Sequence, residues 1–259
     1  MINRIKDVSG ATLIELMVAM FIGSLVVMGA YQAYNYVTKS TARENEKALI
    51  QKDIVTITER LGKDIRMAGN GLPGNGIRVA LYTDKSDTLE LFYNLELTGA
   101  NPVADILYDD VKLFAANCLG AKAGGYICIT GQSIDTIYKQ ISRVGNNASG
   151  EDTIYLSSKV GAGTFPKGVT KLHYCDRIAY EIQTADGEGT LVLSKNAIGV
   201  PLGSKIDTMN ITPKNKAGTA LTSGFENTSL IEVLVGGYIG KGANRNMLSE
   251  TIQVGIRNQ

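Results

Sequence analysis

Twenty-one residues, from Ala11 to Tyr31, carry one charge between them, the carboxylate of Glu15. As a helix rising about 1.5 Å per residue, such an apolar run reaches roughly 30 Å, the thickness of one hydrocarbon core. The run therefore predicts a membrane span over 11–31. A carboxylate within a span costs about 2.5–3.5 kcal/mol on insertion scales, less near an interface, so Glu15 calls for a role that repays its presence.

The helical pattern continues past the apolar run. No proline occurs before Pro73, and Ile50, Ile54, Ile57, Leu61, Ile65 and Ala68 recur at spacings of three and four with charged residues on the other faces. That is the period of an amphipathic helix. From Thr12 to Ala68 the element has 57 residues, about 85 Å of helix, which suits a chain whose first half lies in membrane and whose second half packs on another layer. Gly23, Ser24 and Gly29 are its expected weak points, since an interior glycine costs about 1 kcal/mol relative to alanine. Gly69-Asn70-Gly71-Leu72-Pro73-Gly74 has the form of a dinucleotide fingerprint but follows a helix rather than a strand, and reads as a C-cap and turn.

Beyond residue 76 the chain reads as short strands: Ile77–Tyr82, Thr88–Tyr93, Tyr126–Thr130, Thr153–Leu156, Ala179–Gln183, Leu191–Ser194, Leu230–Gly236 and Thr251–Arg257. Gly, Asn, Asp and Ser separate them, and residues 145–152 and 212–224 read as surface loops. The expected fold class is α+β, a long N-terminal helix over 11–68 and a β-rich head of antiparallel sheets over 69–259.

Composition narrows the function. Twenty-six basic residues against 25 acidic ones are scattered along the chain, so no nucleic-acid partner is expected. Cys118, Cys128 and Cys175 lack metal-ligand spacing and the single His173 has only Cys175 beside it, so neither metal nor cofactor is expected. There is no Ser-centred elbow, phosphate loop or matched triad, which argues against an enzyme with catalytic residues. Adjacent Asp109 and Asp110 have the chemistry of a Ca²⁺ or acid/base pair, but consecutive acids more often make a solvated loop.

Three readings of the N-terminus compete. A secretory signal would be followed by small residues at a cleavage site, whereas Tyr31-Gln32-Ala33-Tyr34 follows Ala30. A plain anchor leaves Glu15 without purpose. The short basic leader MINRIKDVSG, Gly10 at its end, and Ala11-Thr12-Leu13-Ile14-Glu15-Leu16 after it resemble the leader and start of type IV pilins and pseudopilins. The resemblance implies a leader over 1–10, cleavage between Gly10 and Ala11 by a prepilin peptidase, and methylation of Ala11. Ala11 stands where most members carry Phe. It also implies that Glu15 pairs with the N-terminal ammonium of a neighbouring subunit, a charge pair that is costly to break by removing one partner. Cleavage removes two of the 26 basic and one of the 25 acidic side chains and leaves 24 of each.

Among these families, IELMVAMFIGSL, DIRMAGNG, YEIQTADGEGTLVLSK and IQVGIRNQ resemble PilW-type minor pilins most and GspJ-type pseudopilins of type II secretion next. The implied function is a structural subunit that helps initiate a type IV pilus and sits at its tip; the alternatives are a pseudopilin, or a tip adhesin. Implied partners are other minor pilins, the major pilin, the prepilin peptidase, the inner-membrane assembly platform and lipid. The implied location is the inner membrane with the head in the periplasm, then the pilus at the cell surface. An oxidising compartment predicts a disulfide. Cys118–Cys128 is favoured because the intervening LGAKAGGYI is glycine-rich enough to return on itself; a rival pairs Cys175 with one of the other two.

Overall fold

The computed structural model describes residues 12–82, 86–116, 118, 120–131, 136–146, 152–161, 163–185, 188–223, 228–239 and 245–256. The chain divides into two compact units, Met1–Ala48 and Leu49–Gln259. One helix, α1 (Leu13–Met67), runs without interruption through 55 residues, Gly23 and Gly29 included. In the first unit every large apolar side chain from Leu13 to Tyr31 is at least half exposed. This is the one helix among the described residues long and apolar enough to cross a membrane.

In the second unit α1 turns its isoleucine stripe inward. Ile50, Ile54, Ile57, Leu61, Ile65 and Ala68 are all at most 3% exposed, as the sequence periodicity requires. The helix then stops in a turn held by Gly69, Gly71, Gly74 and Gly76, all at positive φ. A Cβ on Gly76 would fall on the Phe92 carbonyl and the Gly69 amide, so the apparent nucleotide fingerprint is a tight chain reversal.

Thirteen strands follow among the described residues. β1 (Ile77–Ala80) and β2 (Thr88–Tyr93) lead into β3 (Gly99–Pro102), β4 (Lys112–Ala116), β5 (Tyr126–Thr130), β6 (Ile137–Asn146) and β7 (Asp152–Leu156). Then come β8 (Lys171–Ala185), β9 (Glu188–Lys195), β10 (Ile198–Ser204), β11 (Ile206–Lys214), β12 (Leu230–Ile239) and β13 (Asn246–Gly255). Every pairing is antiparallel. Each strand expected from sequence overlaps one of these. Strands β3, β4, β6, β10 and β11 were not anticipated, and β11 claims residues 212–214 from what reads as a loop.

The strands make three groups. β1-β2-β8-β9-β10 form one sheet and β11-β12-β13 a second, and both bury side chains against the helix stripe. Tyr180 of β8 and Val233 of β12 share that core with Leu61 and Ile65. Asp87 joins the two sheets: its carboxylate accepts the amide N–H of Tyr82 at 2.9 Å and that of Ile211 at 2.7 Å.

The third group lies between β2 and β8 in sequence. β8 pairs β3, β3 pairs β4, β4 pairs β7, β7 pairs β6, β6 pairs β5, and β5 pairs β8 again. This circuit is a closed six-stranded antiparallel barrel. Leu113, Ile127, Ile129, Ile154 and Leu172 fill it, and Phe165, paired with Ile106, joins the same cluster.

Candidate functional site

The start of α1 is closed by two residues, Thr12 and Glu15. The Thr12 hydroxyl oxygen accepts the amide N–H of Glu15 at 3.3 Å, and the Glu15 carboxylate accepts the amide N–H of Thr12 at 2.8 Å. This reciprocal arrangement is a capping box, which satisfies two of the donors that every helix start leaves open. The spacing Thr12-x-x-Glu15 is itself a sequence signature for it, and Thr12 is the residue that reading the run for charge alone overlooks. Two further hydroxyls bond within the helix: Ser24 in the apolar stretch donates to the Phe21 carbonyl at 2.7 Å, and Thr38 beyond it donates to that of Tyr34 at 2.9 Å. A segment in lipid requires such internal satisfaction. Glu15 is the only charged side chain from residue 8 to residue 38. Gly10 and Ala11 lie outside the described residues.

The cysteines are not where the loop argument puts them. All three are buried free thiols. On β5, Ile127 and Ile129 point into the barrel, so Cys128 must point outward by strand alternation. It packs with Cys175 and Phe92, while Cys118 lies in the barrel cluster near Ile127 and Tyr174. Cys118 and Cys128 thus occupy opposite faces of the barrel wall, and the expected Cys118–Cys128 disulfide is corrected to separate thiols. Burial pushes the Cys118 thiol up, and pushes that of Cys128 up to about 12. The outer cluster is covered by aromatic rings, with Tyr138 stacked on Phe92 at 4.0 Å between centroids and Tyr126 edge-on at 5.6 Å.

Asp109 and Asp110 do not converge. Asp109 pairs with Lys159 at 2.8 Å, and Asp110 accepts the Leu107 amide N–H at 2.6 Å, which makes them two sides of a loop. No group of three metal-ligating side chains is placed around one point among the described residues. His173 sits on β8 opposite Cys128, and burial, with Lys171 beside it, holds its imidazole below the ordinary value.

The capped start, the lone carboxylate and the apolar surface after it are features of one stretch. Residues 5–31 match the prokaryotic N-terminal methylation motif. The motif spans about a tenth of the chain and contains Gly10, Ala11, Thr12 and Glu15. It supports a type IV pilin-like or pseudopilin protein, a structural class that assembles with other pilins and is processed by a prepilin peptidase. The motif and the apolar helix fit membrane anchoring before assembly. The long helix followed by an antiparallel β head is a pilin-like α+β arrangement. No curated protein and no solved structure matches the chain.

Proposed function

We propose that this chain is a minor pilin of the PilW type. In this reading residues 1–10 are a leader removed between Gly10 and Ala11, Ala11 becomes the methylated N-terminus, and residues 11–31 hold the subunit in the inner membrane with the head, 69–259, in the periplasm. The subunit then leaves the membrane with other minor pilins to start a pilus and remain at its tip.

The observation that carries the reading is the methylation motif set at the head of an unbroken helix whose far end is the core of a β domain. Its only charge before Lys39 is Glu15, whose carboxylate is held at the helix start by Thr12. In this reading Glu15 pairs with a neighbour's ammonium. A second reading, a tip adhesin, draws support from the barrel, a module that the helix-packed sheets do not need for their own core. A pseudopilin of type II secretion remains the alternative assembly.

Glu15→Leu separates insertion from assembly. It removes a charge from the apolar run and also the partner of the ammonium, so the expected product is processed, membrane-resident and absent from sheared pili. Gly10→Val should leave the precursor uncut, and mass spectrometry of the extracted wild-type protein should find Ala11 first. Normal incorporation of Glu15→Leu into pilus fractions, or a mature chain starting beyond Tyr31, overturns the reading. Pilus counts in a deletion strain then sort the two roles: lost pili mark assembly, whereas normal pili with lost attachment mark adhesion.

A further inference from the structure

A groove of about 400 Å³ opens where the barrel meets the helix-backed sheet. Its walls are the loop after β2, the glycine-rich turn before β5, and the two-residue turn between β9 and β10. The size is that of a small-ligand site, and the mouths and joints of β-barrels are places where such sites occur.

The rim is held in conformations that cost energy. Among the described residues four non-glycine residues have positive φ, and three of them, Leu97 (51°), Asn196 (46°) and Ala197 (75°), belong to these loops. Such strain persists where surrounding contacts over-determine it, and it clusters at binding and catalytic sites. The contacts are present. The Asn94 side chain donates to the Thr98 carbonyl at 2.8 Å and accepts the Thr98 amide N–H at 3.1 Å, which closes one loop on itself. Asn196 donates to Asp176 at 2.7 Å and accepts the Arg177 amide N–H at 2.8 Å, which ties the other turn to β8.

Within this fixed frame some polar groups are left over. The charged ends of Glu96 and Lys122 make no ion pair or hydrogen bond among the described residues, and both line the groove. Apolar surface alternates with these groups, from the Tyr126 ring to Ile198, which is 74% exposed.

We propose that this groove binds a neutral saccharide of one or two sugar units. One free acid and one free base give neither an anion nor a cation a clear advantage, whereas hydroxyls can accept from Lys122 and donate to Glu96. The C–H faces of a sugar ring suit the aromatic and aliphatic patches between them. An added peptide strand does not fit, because β8 is paired along both edges here, with β2 and β3 on one side and β5 and β9 on the other. The groove is built by residues of the second unit alone, so its test does not depend on pilus formation.

The test uses the labelled full-length chain, in a detergent without a sugar head group, on a printed array of neutral, sialylated and sulfated oligosaccharides. Retention on neutral glycans is expected, followed by saturable transfer in saturation-transfer NMR with the retained sugar. Ala123→Arg places a long side chain in the groove from an exposed position and should weaken binding at least about tenfold. Glu96→Gln with Lys122→Met removes both free charges at surface positions and should weaken it similarly. Retention on charged glycans alone, no retention at all, or wild-type binding by both folded variants overturns the proposal.

Discussion

The helix-backed sheet and the barrel share strand β8 and bury it in different company. Leu172 and Tyr174, near its start, face the barrel interior, while Ile178 and Tyr180, farther along the same face, meet the α1 stripe. One region needs an outside element to cover its apolar face. The other closes on itself, so its strands supply the whole core and leave no open edge in the circuit. The difference teaches that α1 is structural for the sheets but dispensable for the barrel's own packing, with β8 as the covalent joint between the two.

That contrast is sharpest for substitutions at matched depth. Leu61 is fully buried at the centre of the helix stripe, and Leu61→Asp sets an unpaired carboxylate among isoleucines. A cost of several kcal/mol is expected, enough to consume much of a typical domain stability of about 5–15 kcal/mol. Ile154→Ala in the barrel should cost about 2–5 kcal/mol through lost burial and a cavity. Hydrogen exchange tells how far each effect spreads. For Ile154→Ala, loss of protection confined to β4, β6 and β7 supports two cooperative units. Equal loss in β12 and β13 would merge them into one.

How each region was read from sequence follows the same division. The stripe Ile50, Ile54, Ile57, Leu61, Ile65 and Ala68 is a local pattern with the helical period, and the structure buries all six. Barrel closure is not local. It rests on contacts such as Gly99 with His173, and Cys128 with His173, between strands far apart in the chain. Two overlooked strands also have poor composition: β3 is GANP, and β10 carries Gly199, Pro201 and Gly203 yet is held by β9 through a bulge. The thiol pairing failed for a related reason. Loop flexibility bears on whether two cysteines can approach, but only the alternation on β5 sets which face Cys128 takes. At the N-terminus, by contrast, Glu15 stands out in the sequence as an anomaly, whereas its partner Thr12 was missed although the spacing Thr12-x-x-Glu15 carries a capping signature.

A pH experiment probes the wall between the regions. Burial raises the Cys128 thiol from an ordinary value near 9 to about 12. The folded state thus keeps a proton that the unfolded state releases. Its contribution to stability is complete below pH 9 and is lost as pH rises from 9 toward 12. Under reducing conditions, unfolding free energy should fall across that window by about 1.4 kcal/mol per pH unit for this one thiol. Cys128→Ala should start less stable and show a shallower alkaline slope. Cys118→Ala, inside the barrel, should keep the Cys128 contribution to the slope. Identical slopes for wild type and Cys128→Ala would mean that the outer cluster opens without unfolding either region.

The smallest effect belongs to the turn at the sheet side of the groove. Asn196 and Ala197 form a two-residue connection between β9 and β10, and both have positive φ, as this hairpin geometry demands. Asparagine tolerates that region, but alanine carries a Cβ that opposes it by about 1–2 kcal/mol. Glycine removes the clash and gives back part of the gain by enlarging the unfolded ensemble, roughly 0.5–1 kcal/mol. Ala197→Gly is therefore expected to stabilise by up to about 1 kcal/mol, read as a higher urea midpoint with an unchanged m-value. Because the turn belongs to the helix-backed sheet, the gain should appear in protection of β9 and β10 and leave the barrel strands β4 and β7 as they were. A lowered midpoint would show that the Cβ of Ala197 makes a favourable contact outweighing the strain of its backbone.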